Sequence, residues 1–409
     1  MRFQNLDEAL GWLYERKKSV VGLHDFQRFL DAHGNPERKL KAVHVAGTNG
    51  KGSTTAYIAS ILRSQDYKVG TFTSPHLVTH NDRIRINNLP ISDEDLLQYL
   101  EEGYTEFTDA GLSMFEIDFY IACEYFLRQK TDYAVIEVGL GGEFDATNTV
   151  WPMVSVITTI GFDHMAYLGN TLEKIASAKA GIIKEGIPVI THVKDAGALR
   201  VIKDTADARH AELTQVKDPL CVHEDSGELV FSYGRYQDLR LQTMAYYQAE
   251  NASNALETVK VLRNAGVRIT PRAVRKGLYE AIWEGRFEKV SDDPEVILDG
   301  AHNEEGIRAL TRTLKMRGKD CVIVFAALKD KMTDRMIESL LEVTDDIIVT
   351  EFIFSRDQKA DVIAKDYPVT VEPDYGKAIR QALSRTGKTV IITGSLYFIS
   401  LVRKQFFHP

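Results

Sequence analysis

Cysteine is scarce in this chain of 409 residues: Cys123, Cys221 and Cys321 stand far apart and form no C-x-x-C pair. An odd, scattered set excludes a disulfide framework and a cysteine zinc site, and reads as free thiols in a reducing compartment. No apolar run reaches membrane-spanning length, and the opening Met1-Arg2-Phe3-Gln4-Asn5-Leu6-Asp7-Glu8 carries no apolar signal region. A cytoplasmic protein with no membrane partner is therefore expected. A basic excess is also lacking. With 50 Lys and Arg against 58 Asp and Glu, the net charge is -8, which argues against a nucleic-acid partner. Internal repeats and low-complexity tracts are missing as well. What is left is a globular composition, in a chain too long for one ordinary core, and two domains are expected.

One stretch organises the rest. Val43-His44-Val45-Ala46 is a short, largely apolar and β-branched run, and it leads into Gly47-Thr48-Asn49-Gly50-Lys51-Gly52-Ser53-Thr54. Ala56 to Leu62 then leaves with helical periodicity. Strand, glycine-rich turn and helix form the context of a phosphate-binding loop. Its glycines can turn backbone N–H groups towards an anion, and the helix points its positive end there. Lys51 adds a cation, and Ser53 or Thr54 an oxygen for Mg2+. The spacing departs from G-x-x-x-x-G-K-[ST], because the lysine sits between two glycines. An ordinary βα turn is the bland alternative; the register of Lys, Ser and Thr favours a nucleoside triphosphate.

Other chemistry-bearing residues fall at expected strand ends. Tyr67 to Phe72 reads as a strand running into Thr73-Ser74-Pro75-His76, where Ser74 is either a turn residue or a metal or substrate contact. Tyr133 to Val138 reads as a buried strand carrying Glu137, a carboxylate that is costly unless it meets a cation. Val154 to Thr159 is another strand, followed by Gly161-Phe162-Asp163-His164, and Thr171 caps a helix containing Lys179. Convergence of Ser74, Glu137 and His164 on one rim of a parallel sheet supports a site there. Asn251, in a helix beginning near Gln248, is either a plain helix residue or a reader of an adenine edge.

Residues 191–245 show short strands and turns with no chemistry. Trp283 to Pro294 is rich in turn formers and charges and marks a domain boundary. Beyond it strands and helices alternate: strands at 295–298, 321–326, 346–350, 368–371 and 389–393, with helices between them. The first of these strands ends in Asp299-Gly300-Ala301-His302-Asn303. The expected fold class is α/β: an ATPase domain over 1–288, a linker at 289–294, and a smaller α/β domain over 295–409.

These residues together resemble the folylpolyglutamate synthase and dihydrofolate synthase family of the Mur ligase superfamily. The resemblance is carried by Gly34-Asn35-Pro36, His44 to Thr54, Thr73 to Leu77, Glu137 to Gly142, Asp145-Ala146-Thr147-Asn148 and Gly161 to His164. Tyr167-Leu168-Gly169, Lys179 to Lys184, Gly285-Arg286, Asp299 to Asn303 and Gly394-Ser395 continue it collinearly, over about residues 22–398. Tyr247, Asn88 and Glu304 depart from the family's usual His, Gly and Pro.

The resemblance implies a P-loop ATPase domain with a mainly parallel sheet, of Mur ligase central-domain type, and a smaller Rossmann-like C-terminal domain. It implies an ATP-dependent ligase adding L-glutamate to tetrahydrofolate or its polyglutamates through an acyl phosphate, with ADP and phosphate released. Dihydrofolate synthase activity, alone or alongside, is the nearest alternative, and a P-loop regulator without ligation is the alternative of a different class. ATP contacts would come from Gly47, Thr48, Asn49, Gly50, Lys51, Gly52, Ser53, Thr54, Asn251, Arg286 and Asp299. Two Mg2+ sites would draw on Ser53, Ser74, Glu137, His164 and a carbamylated Lys179. Lys51, His164 and Lys179 would serve catalysis, and Pro75, His76, His302 and Ser395 the substrates. A monomer is expected.

Overall fold

The structure is a computed structural model that describes residues 2–17, 22–354 and 356–407. By packing it divides into two compact units. The first comprises Met1–Ile160, Leu168–Asp218 and Asn251–Ala281, and the second Gly161–Tyr167, Pro219–Glu250 and Ile282–Pro409.

The first unit is built on an eight-stranded sheet. Its strands are β1 (Ala42–Ala46), β2 (Val69–Phe72), β3 (Ile84–Ile86), β4 (Leu89–Pro90), β5 (Tyr133–Glu137), β6 (Val154–Ile157), β7 (Val189–Thr191) and β8 (Leu213–Gln215). Their order is β4-β3-β2-β5-β1-β6-β7-β8. From β2 to β8 every neighbouring pair is parallel, and only β3 and β4 run antiparallel at one edge. β1, β2, β5 and β6 are buried along their whole length, which is why they read as continuous apolar runs rather than alternating ones. The helix Met114–Arg128 opens with a capping box between Ser113 and Glu116, and its Phe119 and Phe126 fill one core with Phe26, Phe72 and Phe107.

The second unit holds two sheets. β9 (Leu220–Asp225), β10 (Glu228–Tyr233) and β11 (Tyr236–Leu241) form an antiparallel sheet with β10 in the middle. β12 (Glu288–Asp292), β13 (Glu295–Leu298), β14 (Cys321–Phe325), β15 (Ile347–Glu351), β16 (Thr370–Asp374) and β17 (Thr389–Thr393) form the other. Their order is β12-β13-β17-β14-β15-β16, parallel except for β12. Ile297, Ile323, Phe325, Val349 and Ile391 make its core.

The expected element types match closely outside residues 191–245, where the helix Ala196–Ala208, capped by Asp195, stands in place of the expected short strands and turns; two further differences concern organisation. Most of residues 289–294, expected as a linker, forms the edge strand β12, hydrogen-bonded to β13. Residues 161–167 and 219–250 lie inside the expected first domain by position, yet pack with the C-terminal residues. Local pattern fixes what an element is, not which core it joins. All three cysteines are free thiols, Cys123 and Cys321 buried and Cys221 exposed. No helix among the described residues is long and apolar enough to cross a membrane.

One packing contact inverts an ordinary rule. The helix Lys51–Arg63 lies against the helix Pro271–Glu280, where a Cβ on Gly277 would collide with the backbone of Ser60 and Ile61. Alanine for glycine inside a helix normally stabilises by about 0.8–1 kcal/mol. Gly277→Ala is instead expected to destabilise by about 1–3 kcal/mol, because two backbones must separate. A lower urea midpoint would show it, and a raised midpoint would contradict the packing.

Candidate active site

β1 ends at Ala46, and the chain turns through Gly47 (φ 151°) and Gly50 (φ 84°) before the helix begins at Lys51. Both conformations suit glycine. There is also no room for a side chain: a Cβ would strike the Thr158 hydroxyl at Gly47 and the Asn251 amide at Gly50. Asn251 is thus brought against the loop, and its carbonyl accepts from the Thr54 hydroxyl at 3.5 Å. Ser53 and Thr54 are buried in the first helical turn.

Two threonines beyond β6 hold the loop's shape. Thr48 N–H donates to the Thr159 carbonyl at 2.8 Å, and Asn49 N–H to the Thr159 hydroxyl at 2.9 Å. The Thr158 hydroxyl donates to the Asn49 carbonyl at 2.6 Å. Sequence reasoning placed this strand but missed these hydroxyls; their position at the carboxyl end of a strand beside β1 is the signal that points to them. The Lys51 ammonium donates to the Gly47 carbonyl at 3.0 Å and to Thr48 at 3.2 Å, and Lys179 donates to the same Gly47 carbonyl at 2.9 Å. Two cations converge on one loop, which favours a polyanion there.

The parallel register sets the neighbouring strand ends side by side. Val45 of β1 pairs with Glu137 of β5, and Ile136 with Phe72 of β2. Ser74, just past β2, therefore meets Glu137, and its N–H donates to the buried carboxylate at 3.3 Å. A carboxylate and a hydroxyl-bearing residue at one rim are oxygen donors of the kind Mg2+ takes. His76 accepts from the Arg83 guanidinium at 3.2 Å. Behind it lies a network, buried apart from the exposed Tyr14, that the sequence did not reveal: His80 to Asp118 at 2.8 Å, His80 to the Tyr14 hydroxyl at 3.2 Å, and Arg83 to Asp118 at 3.7 Å. Asp118, an acid within the apolar stripe Ile117–Phe119, was its only sequence trace.

In the second unit the carboxyl ends of β13 and β17 are adjacent, so Asp299 to Asn303 and Ser395 share an edge. Asp299 is buried and accepts from the Tyr247 hydroxyl at 2.5 Å, from Phe287 N–H at 2.9 Å and from Ala301 N–H at 2.9 Å. Tyr247 thus takes up a hydrogen-bonding role at the position where it departs from the family's histidine. The Ser395 hydroxyl is buried and has no hydrogen-bond partner. Arg286 lies beside Gly300, where an added Cβ would meet its guanidinium at 2.6 Å. His302 bonds the Gly300 carbonyl through Nδ1 at 2.8 Å.

His164 falls in the second unit, whereas Glu137 and Lys179 belong to the first. Its backbone is left-handed (φ 50°), an uncommon conformation for a non-glycine residue. The preceding Asp163, which sequence reasoning passed over, receives Lys331 at 2.6 Å, Asn303 at 3.2 Å and His302 at 3.4 Å. Burial alone would raise its carboxyl. The hydrogen bond from His302 and the charges of His302, Lys331 and His164 instead hold it well below the usual range. Among the described residues, no three His, Cys, Asp or Glu side chains group as ligands of one metal ion.

Comparison with known proteins decides the family. Residues 45–259 match the Mur ligase middle domain, and residues 285–396 the Mur ligase glutamate ligase domain. A dihydrofolate synthase/folylpolyglutamate synthase of Bacillus subtilis is 40% identical over 98% of this chain and 99% of its own length. The chain belongs to the folylpolyglutamate synthase/dihydrofolate synthase family of Mur ligases. A folylpolyglutamate synthase of Lacticaseibacillus casei is 34% identical, covering 95% of this chain and 97% of its own. The Mycobacterium tuberculosis folylpolyglutamate synthase solved with ADP superposes with a TM-score of 0.91 at 28% identity, over 99% of this chain and 98% of that one. As a Mur ligase of this family, the protein is an ATP-dependent ligase.

Within this Mur ligase fold a second buried chain sits next to the rim. His44 of β1 meets the Thr147 hydroxyl at 2.8 Å, and Thr147 donates to Asp145 at 2.5 Å. The Asp145 carboxyl is pushed up by burial, offset in part by Thr147 and by backbone donors. With the hydroxyl hydrogen on Asp145, His44 donates through Nε2. Burial, then the charge of Lys184, pushes its pKa down to about 3. The folded ring refuses a proton that the unfolded chain accepts near pH 6.5. This contribution is whole above about pH 6.5 and is lost as pH falls towards 3, at up to about 1.4 kcal/mol per pH unit. The acid-side fall in Tm is therefore expected to be shallower in His44→Gln than in the parent protein. Identical slopes would show that His44 titrates normally.

Proposed function

We propose that this chain adds L-glutamate to tetrahydrofolate or its polyglutamates, releasing ADP and phosphate. One observation carries the reading: a glycine loop that Lys51 and, from another helix, Lys179 both contact shares a rim with the Ser74–Glu137 pair, in a chain that also has a glutamate ligase domain. Dihydrofolate synthase activity is the second reading, favoured by the B. subtilis relative that carries both names. A folylpolyglutamate synthase solved with AMPPCP and folate, at TM-score 0.88 and 30% identity, supports the choice of ATP and a folate as substrates. A P-loop regulator would have no use for a glutamate ligase domain.

The reaction proceeds in two displacements. A substrate carboxylate oxygen attacks the γ-phosphorus of ATP, and the bond to the β,γ-bridging oxygen breaks, leaving ADP and an acyl phosphate. The amine of glutamate then attacks the acyl carbon and expels phosphate, losing a proton as the amide forms. Loop N–H groups from Gly47 to Thr54 cradle the phosphates, with Lys51 offsetting charge on the β- and γ-groups. Asn251 would face the adenine, Arg286 the phosphates and Asp299 the ribose. Ser395 would hold the incoming glutamate through its unpartnered hydroxyl, with His302 beside it. Pro75 and His76 would line the folate pocket.

By the family resemblance, Ser53, Ser74 and Glu137 would hold one Mg2+, and Glu137, His164 and Lys179 a second; Mg2+ so held would supply charge neutralisation for the phosphates. A carbamate on Lys179 would turn a buried cation into an oxygen-bearing anion fit for that role. Orientation alone can supply about 7–11 kcal/mol of barrier lowering, so no side-chain nucleophile is needed. The functional boundary is proposed at 289–294, between an ATPase part over 1–288 and a glutamate ligase part over 295–409. The two family matches, ending at 259 and beginning at 285, support a chain of two parts, with residues 285–294 already inside the glutamate ligase match. A cytoplasmic monomer without nucleic-acid partners accords with the net charge of -8 and the free thiols.

The test is ADP release with Mg-ATP and L-glutamate, offering tetrahydrofolate or dihydropteroate and weighing the products. A ladder of added glutamates on tetrahydrofolate is expected; a single glutamate on dihydropteroate would substitute or add the second activity. ATP turnover indifferent to glutamate would overturn the ligase reading. Lys51→Ala is expected to lower turnover by about 100- to 1000-fold, the scale of a lost transition-state contact. His164→Ala is expected to lose ligation while still binding ADP. Full ligation by that variant would remove His164 from the metal set.

A further inference from the structure

The C-terminal residues beyond the matched glutamate ligase domain hold a buried charge with no assigned role. Arg403 follows the helix Leu396–Val402, which begins directly after Ser395. Its Nε donates to Glu288 at 3.0 Å and its Nη2 to Glu284 at 3.0 Å. The guanidinium is largely buried and its two carboxylate partners are half-buried, so these are charge-assisted bonds partly sheltered from solvent. The two carboxylates stand immediately before and after the turn Gly285-Arg286-Phe287.

That turn needs holding. Gly285 (φ 70°) and Phe287 (φ 53°) are both left-handed, and for a buried phenylalanine this is a strained state that persists only when its surroundings impose it. Three bonds impose it here. Gly285 N–H donates to Glu288 at 2.8 Å, Gly300 N–H to the Gly285 carbonyl at 2.8 Å, and Phe287 N–H to Asp299 at 2.9 Å. Glu288 thus spends one oxygen on the turn and the other on Arg403. Without the guanidinium, two like charges would flank the strained turn and repel one another across it.

We propose that Arg403 is a positioning residue, which fixes the Gly285–Phe287 turn through Glu284 and Glu288 and so holds Arg286 in register for the nucleotide phosphates. This rests on the phosphate role proposed for Arg286. A side chain about two helical turns beyond the matched glutamate ligase domain thereby sets ATP affinity, at the end of the short helix that begins directly after the residue proposed to hold glutamate.

The test compares Arg403→Ala, Arg403→Lys, Glu288→Gln and Arg286→Ala in the full chain, reading KM for ATP, KM for glutamate, ADP affinity by calorimetry and Tm. Arg403→Ala is expected to raise KM for ATP and weaken ADP by about 10- to 100-fold, the scale of a misplaced contact, with KM for glutamate little changed. Arg403→Lys restores part of this, because an ammonium engages one carboxylate well but not two. Should Arg403→Ala fail to fold, Glu288→Gln cuts the same bridge and must show the same nucleotide-selective loss. Normal ATP and ADP affinity in a folded Arg403→Ala or Glu288→Gln, with affinity lost in Arg286→Ala, overturns the proposal and leaves the role of Arg286 standing. Normal affinity in Arg286→Ala removes that role and the proposal with it. Parallel losses for ATP and glutamate that track Tm would mean a merely structural contact.

Discussion

Parallel strand pairing is the constraint on which the candidate site depends. In a parallel sheet every strand delivers its carboxyl end to the same edge, and the register decides which residues meet there. Because β1 pairs with β5 and β6, and β5 with β2, the loop after Ala46 is flanked by Glu137, Ser74 and the Thr158–Thr159 pair. The strand interiors are buried and mostly apolar, with His44 of β1 a polar exception, so the polar groups of the rim come from the strand ends. A one-residue slip of β5 would turn Glu137 to the opposite face and dismantle the rim.

Charge is handled differently in the two units. Around the phosphate loop Lys51 and Lys179 crowd one carbonyl, an arrangement that a bound polyanion relieves. In the second unit two acids are already satisfied: Asp299 by three donors and Asp163 by Lys331, His302 and Asn303. These carboxylates serve to fix backbone and side chains in place. Preorganisation of this kind suits a reaction whose barrier is lowered mainly by orientation and by donors already aimed at developing charge.

Much of the site was legible because its signals are local. Gly47 to Thr54 announces itself by glycine spacing between a strand and a helix, and Glu137 by being an acid in a buried run. The remainder depends on partners far apart in the chain. Asn49 and Thr159 are separated by 110 positions, and Asp163 and Lys331 by 168. Each of these residues taken alone looks like an ordinary polar side chain. The assignment of 161–167 and 219–250 to the second unit was equally hidden, since their local patterns are compatible with either core. β12 was concealed by composition: its charges and neighbouring turn formers imitate a linker, yet an antiparallel edge strand tolerates both.

The central claim is that the substrate carboxylate is activated by direct attack on ATP and then handed to glutamate. Its most direct test is ligation of a tetrahydrofolate substrate labelled with 18O in the reacting carboxylate, followed by mass analysis of the phosphate released. An acyl phosphate requires that one labelled oxygen leave with phosphate while the other stays in the new amide. Phosphate free of label, formed in step with the ligated product, would contradict the account and demand a different route from ATP to the amide bond.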